Sequence, residues 1–302
     1  MKTRILLTIL TLLPFLGFAQ NDPLFTHFMY HTNLYNPATA GNTDGITVGL
    51  LARQQWVGFD DAPSTQLLNA YGYIPKIKGG VGLTVVNDIL GKQRTTTVRL
   101  GYAYRQRLGD KMYLSAGLNF GIANNHVKGS ELRYQQTGDQ SSFDVGNAQT
   151  KPDIGLGLEF SGKGLTLGVS FTHLQQSIGN STLWKTPRHY YAYAKYDWQV
   201  AEKWQLSPAV FFRSAGFISQ LDVNLNATWN KRVVVGASYR TTDDMAALLG
   251  VYIVKNVLAS YSFDFDFGEL RTNNSGSHEL TIIAKFKGFQ EKVSVLKSPR
   301  YF

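Results

Sequence analysis

The 302-residue chain contains no cysteine. That excludes disulfides, thiolate zinc sites, thiol nucleophiles and a lipidated N-terminal cysteine. Beyond its first twenty residues it also lacks any run near the ~18 uninterrupted apolar residues that a membrane-spanning helix needs. Charge is sparse: Asp, Glu, Lys and Arg make up 17% of the residues, and 30 bases outnumber 21 acids. The sequence has no Gly-rich phosphate loop, H-E-x-x-H, G-x-S-x-G or EF-hand pattern. No cofactor, metal or catalytic group is therefore expected, and the chain reads as a non-enzyme. The formal charge of +9 is not gathered into a basic block, and removal of Lys2 and Arg4 with a leader leaves about +7. In an exported chain this balance fits anionic lipid headgroups or an anion-preferring lumen, and no nucleic-acid partner is expected.

A leader is indeed indicated. Lys2 and Arg4 precede a short apolar run, Ile5 to Leu16, and Gly17-Phe18-Ala19 supplies small residues for cleavage. We read residues 1–19 as a signal peptide cut after Ala19. From Gly45 to Lys287 the chain then alternates apolar and polar residues in bursts of about ten, the length a tilted strand needs to cross a bilayer. In Tyr261-Ser-Phe-Asp-Phe-Asp-Phe267 four aromatics face one way and Ser262, Asp264 and Asp266 the other. Nearly every burst has such an apolar face, and no helical layer is left to cover them, so lipid is the economical cover.

The pattern predicts an all-β fold, a transmembrane antiparallel β-barrel of about 14 strands over 44–287. An irregular segment, 20–43, precedes it, and a short C-terminal tail, 288–302, follows. The expected strands are 45–56, 64–74, 79–88, 94–107, 111–124, 153–161, 164–174, 188–199, 203–214, 219–229, 232–241, 244–254, 256–268 and 278–287. Short turns such as Gly109-Asp110, Gly162-Lys163 and Asn230-Lys231 are expected at the periplasmic rim. Longer connections at 57–63, 89–93, 125–152, 175–187 and 269–277 would be extracellular. Trp56, Trp184, Trp198, Trp204 and Trp229 suit an interfacial girdle.

The chemistry-bearing residues are few. His27 and His31 share a helical spacing without a further ligand, and ordinary polar contacts are their expected role. Asp264 and Asp266 share the inward face, as acid–base pairs do, but neutralising inward Arg99, Arg105 and Arg240 is the simpler reading. A segment as aromatic and as poor in charge as Asp22 to Gly41 is unlike a disordered tail in water. Asp22, Pro23, Phe25, Thr26, Phe28, Met29, Asn36, Pro37 and Gly41 are its candidate plug or partner-docking residues. Arg53, Trp56 and Phe59 form a candidate rim surface. A passive outer-membrane diffusion channel is the alternative reading, and it requires an open lumen.

Two stretches carry a family resemblance: Asn21-Asp-Pro-Leu-Phe-Thr-His-Phe-Met-Tyr30 and Leu34-Tyr-Asn-Pro-Ala-Thr-Ala-Gly41. Arg53-Gln-Gln-Trp-Val-Gly-Phe59, Gly82 to Asp88, Tyr102 to Arg105, Gly236 to Arg240, Tyr261 to Asp264 and Gly276-Ser-His-Glu279 follow in order. Together they resemble the PorP/SprF family of Bacteroidota, over essentially the whole mature chain. The chain departs from that family at Thr39, where many members carry an aromatic, and at His27-Phe28, where Gln-Tyr is commoner. The resemblance implies an outer-membrane barrel of the type IX secretion system, often linked to gliding motility. Its implied partners are outer-membrane lipid, secretion components, the C-terminal domain of a secreted adhesin, and periplasmic peptidoglycan-associated proteins.

Overall fold

The computed structural model describes residues 22–127, 148–177, 186–215, 218–241, 244–267 and 275–288. The expected signal peptide, the tail from 289 onward and Trp184 lie outside the described residues.

Alternation produces strands throughout. The first seven are β1 (Gly45–Gln54), β2 (Ser64–Ile74), β3 (Gly79–Leu90), β4 (Gln93–Gly109), β5 (Met112–Val127), β6 (Gln149–Gly162) and β7 (Leu165–Thr172). Next comes β8 (His189–Tyr196), which resumes beyond Asp197 as Trp198–Ala201. The rest are β9 (Trp204–Ser214), β10 (Ser219–Trp229), β11 (Val233–Arg240), β12 (Asp244–Val254), β13 (Val257–Asp266) and β14 (Ser277–Lys287). Each strand pairs antiparallel with its sequence neighbours. The sheet closes where β14 returns to β1, with Gly45 opposite Lys287 and Gln54 opposite His278. Closure lets every strand satisfy its backbone donors and acceptors without an edge, which is what hydrocarbon surroundings demand.

The outer face is apolar and uncovered. Leu100 and Phe120 stay 65% and 60% exposed, while their strand neighbours Arg99 and Asn119 are buried inside. The described residues include no helix long and apolar enough to cross a membrane. One rim carries two- or three-residue turns whose residues adopt left-handed backbone, including Lys111 (φ 51°), Lys163 (φ 50°) and Asn230 (φ 49°). The short turns mark that rim as periplasmic, and β1 starts and β14 ends there. Trp204 and Trp229 sit opposite each other in register near the same rim, with Trp198 beside them, all exposed as a girdle requires. Trp56 lies at the opposite rim and is only half-buried.

Three expectations need correction. Residues 89–93 are not a long connection: β3 runs to Leu90 and β4 begins at Gln93, leaving a two-residue turn at Gly91-Lys92. Gly91 provides the positive φ (59°) that the turn requires. The connection expected over 125–152 is shorter at both ends, because β5 reaches Val127 and β6 resumes at Gln149. The segment before the barrel is not wholly irregular. It makes a 3-10 turn at Phe28–Tyr30, one α-helical turn at Thr32–Tyr35 and a 3-10 stretch at Pro37–Asn42.

That segment occupies the lumen. Asp22 lies at the extracellular mouth, beside His173 at the end of β7 and Tyr191 near the start of β8. Thr43 and Asp44 reach the periplasmic rim, where Arg105 binds the Asp44 carboxylate at 2.8 Å. Between them the chain descends the full height of the barrel.

Candidate functional site

Near its periplasmic end the segment is built from a short polar–proline–small-residue run. The side chain of Asn36 accepts the backbone N–H of Ala38 at 2.9 Å, capping the turn, and Pro37 needs no amide donor at that position. The Asn36 amide also donates to the Leu158 carbonyl at 2.9 Å, tying the cap to β6. Ala38 and Ala40 are completely buried. They approach the wall so closely that a Cβ on inward-facing Gly117 would strike the backbone of Pro37 and Ala38. One on Gly80 would strike the carbonyl of Ala40. Small residues on both sides let backbone pack on backbone. Below this point the buried Glu159 collects donors from the segment and the wall, accepting from Thr39 at 2.7 Å, from Asn42 at 3.1 Å and from the Tyr193 hydroxyl.

Higher up, a charged cluster holds the segment across the β1–β14 seam. Glu279 on β14 accepts the backbone N–H groups of Thr26 (3.0 Å) and His27 (2.8 Å) and the His27 ring at 2.6 Å. Arg53 on β1 donates to Glu279 at 3.0 Å and to Asp264 on β13 at 2.7 Å. The Thr26 hydroxyl adds a bond to Asp264 at 2.8 Å. Arg240 reaches Asp222 at 3.2 Å and lies 3.7 Å from Asp264. Buried charges persist only when paired and hydrogen-bonded, and here both conditions are met. His31 lies one step below. Asn69 donates to its Nδ1 at 3.0 Å and its Nε2 lies 2.6 Å from the Thr281 hydroxyl. Burial, with His27 nearby, holds its pKa down at about 3, so the ring stays neutral.

The middle of the lumen is apolar. Phe28 stacks on Phe211 at 5.1 Å between ring centres, and Tyr35 meets Phe211 at 4.7 Å and Tyr191 at 5.2 Å. Phe25, Met29 and Leu34 join this cluster from the segment, and Leu51, Leu67 and Val86 join it from the wall. A barrel interior is ordinarily polar or water-filled, so this core belongs to the packing of the segment itself. At the extracellular mouth Asp22 accepts from Tyr191 at 2.7 Å and meets His173 at 2.9 Å, and Asp153 approaches the other His173 nitrogen at 3.0 Å. Burial alone would lower the His173 pKa, but the two carboxylates raise it to about 9. Against the opposing effect of burial, His173, with His189 and Arg99, holds the Asp22 carboxyl well below its usual range.

The sequence-selected residues therefore divide. Phe25, Thr26, Phe28, Met29, Asn36, Pro37 and Gly41 are all buried in the lumen, and Asp22 and Pro23 are half-buried at its mouth. Arg53 is not on a rim surface: it faces inward with Leu51, is only 4% exposed and is consumed by the Asp264–Glu279 cluster. Trp56 and Phe59 remain part-exposed at the extracellular rim, where Val57 exchanges backbone bonds with Ser275 and Gly276 ahead of β14. Of the arginines expected to neutralise the Asp264 face, Arg240 does so, but Arg99 binds Asp153 and Arg105 binds Asp44. His27 and His31 do not converge on a common point; each is engaged with a different wall residue. Sequence reading missed Glu279, Glu159, Tyr191 and Phe211. Tyr191 and Phe211 left a signal, because β8 and β9 carry bulky apolar residues on both faces where pure alternation would leave the inner face polar.

The segment leaves space at both ends of the barrel. A cavity of about 100 Å³ at the extracellular mouth is lined by Asp22, Tyr35, Asp88, Arg99 and His173. A larger vestibule of about 550 Å³ at the periplasmic end is lined by Tyr30, Lys195, Lys231, Tyr252, Lys255 and Lys285.

In fold the chain is similar to several solved outer-membrane barrels. The Acinetobacter baumannii outer membrane protein Omp33 superposes with a TM-score of 0.50 at 10% identity, over 82% of this chain and 100% of that chain. The monoaromatic hydrocarbon channel CymD gives 0.51 at 10% identity, over 87% and 93%. The Ralstonia pickettii toluene transporter TbuX gives 0.51 at 8% identity, over 86% and 94%. At such identities the likeness is one of architecture alone. No curated protein matches the chain in sequence. Residues 17–283, nearly all of the barrel and the whole lumen segment, match the family described as type IX secretion system membrane protein PorP/SprF, so the chain belongs to the PorP/SprF family of outer-membrane type IX secretion proteins.

Proposed function

We propose that this barrel is a non-catalytic support for type IX secretion, assisting export of cargo or its attachment at the cell surface, with a gliding adhesin as the expected kind of cargo. The observation that carries this reading is the filled lumen. Residues 22–43 occupy the space through which solutes would pass, and an aromatic layer of Phe28, Tyr35, Tyr191 and Phe211 separates the two end cavities. A barrel sealed by its own chain is suited to work through its rims. The extracellular rim offers Trp56 and Phe59 to a secreted C-terminal domain. The periplasmic vestibule offers lysines and tyrosines to an acidic surface of a secretion component or a peptidoglycan-associated protein.

The lumen segment is the part on which this role depends. Deleting residues 22–41 from a barrel that still inserts is expected to abolish cargo secretion or surface display. Undiminished display by the inserted deletion variant would refute the reading. The diffusion-channel alternative makes the opposite demand, steady conductance by the intact protein in planar bilayers with a size cutoff, and the packed lumen weighs against it.

A further inference from the structure

Three metal-ligand side chains converge at the extracellular mouth. Asp22, His173 and His189 each present one ligand atom, and these atoms lie within 4.8 Å of one another. They come from the start of the lumen segment, the residue after β7 and the first residue of β8.

The outward-facing nitrogens of both rings are already engaged. His173 Nδ1 lies 3.0 Å from an Asp153 carboxylate oxygen. His189 Nδ1 lies 3.1 Å from the carbonyl of Pro187, which can only accept. Each ring therefore donates through Nδ1, which leaves each Nε2 as the nitrogen to bind a metal. His173 Nε2 is already 2.9 Å from Asp22 Oδ1, and His189 Nε2 accepts the Asp22 backbone N–H at 3.3 Å, a bond that an incoming ion would replace. A carboxylate or carbonyl behind the far nitrogen is the arrangement that fixes the tautomer of metal-bound histidines and raises their basicity. Both rings are buried, whereas Asp22 and His173 border the mouth cavity, which has room for water at a fourth position.

We propose that Asp22, His173 and His189 form a site for a divalent transition ion of the zinc class, which clasps the N-terminal segment to β7 and β8. Two imidazoles with one carboxylate favour zinc and its neighbours over calcium or magnesium, which prefer all-oxygen sites. Bonds of ~2.0 Å in a tetrahedron require ligand atoms about 3.3 Å apart. The Asp22–His173 edge, at 2.9 Å, has to open by a few tenths of an ångström, and the His189 ring has to swing in from within 4.8 Å. The proton shared between His173 Nε2 and Asp22 leaves to solvent as the ion enters. This site stands independently of whether the barrel supports secretion.

The test uses the mature full-length barrel in detergent, stripped with chelator and titrated with zinc chloride by calorimetry, with bound metal counted by elemental analysis. One zinc per chain is expected. Asp22→Asn, His173→Gln and His189→Gln should each weaken binding by about tenfold or more, while His278→Gln leaves it unchanged. Heat-modifiable electrophoretic mobility reports whether each variant is a folded barrel. Asp22→Asn lies outside every strand, so it tests the site even if a histidine variant misfolds. Absence of saturable zinc binding overturns the proposal, as does equal affinity in Asp22→Asn or in a folded His173→Gln/His189→Gln variant.

Discussion

His27 and Glu279 are joined twice, through the His27 backbone N–H at 2.8 Å and its ring Nδ1 at 2.6 Å. They stand 252 residues apart, so the first ordered turn of the lumen segment is fixed by the last strand of the barrel. Replacing Glu279 with Ala removes one of the two carboxylates that hold Arg53 and leaves the Thr26 and His27 backbone donors without an acceptor. We expect a loss of about 3–5 kcal/mol in the docking of the segment, read as rapid proteolytic cleavage within 22–43 in a barrel that still resists heat unfolding. Unaltered protection would mean the cluster is not the anchor.

Phe28→Ala should act on the same segment through packing alone. It removes the ring that stacks on Phe211 and leaves a cavity, an effect of about 3–5 kcal/mol for a buried Phe. Urea titration in detergent, followed by protease resistance of residues 22–43, measures it. Phe28→Leu should recover most of the loss.

Gly117→Val offers a steric test. Its side chain would enter the space filled by the backbone of Pro37 and Ala38, with no flexible group to move aside. The expected result is an inserted barrel whose segment is displaced, showing stepwise conductance in planar bilayers that the wild type lacks. An equivalent change at outward-facing Leu118 should leave conductance as it was.

Two histidines predict opposite pH limbs. His31, held near 3 when folded against an ordinary ~6.5, takes up its proton more readily when the segment is released. Its contribution is therefore present above about 6.5 and is lost as pH falls toward 3, by up to about 1.4 kcal/mol per pH unit. His173, raised to about 9, contributes fully below about 6.5 and loses that contribution as pH rises through 9. Rates of proteolytic release measured from roughly pH 4 to 10 should show both limbs. His31→Gln should flatten the acid limb and His173→Gln the alkaline one.

At the periplasmic rim, Lys231→Glu with Lys255→Glu reverses two exposed vestibule charges that lie outside the strands. Capture of an acidic periplasmic partner from solubilised envelopes should fall about tenfold or more and lose its salt dependence. Undiminished capture would remove the vestibule as the dock.

The barrel was legible because strands in lipid leave a period-two trace that no soluble cover blurs. Strand number, the short-turn rim and the facing of Leu221, Val223 and Leu225 against Asp222 and Asn224 all follow from it. Gly91-Lys92 escaped because turn and strand residues look alike over two positions. Arg53 adjoins a rim loop in sequence, but its alternation with Leu51 already puts it on the inner face. The convergence of Asp22, His173 and His189 could not be read at all, since only closure of the sheet brings such distant residues to one mouth. The blocks that carry the family resemblance gain a physical meaning together. Thr26, His27, Arg53, Asp264 and Glu279 are one buried cluster, and Asn36 to Gly41 is the backbone-on-backbone contact below it.

The seam between β1 and β14 joins the first strand to the last, the pairing with the greatest sequence separation in the wall. Arg53 on one side and Glu279 on the other meet at Thr26, and Glu279 also holds His27, so the segment is gripped from both sides of that join. The wall's closing seam and the seat of residues 22–43 thus use the same two side chains, which couples closure of the barrel to occupation of its lumen.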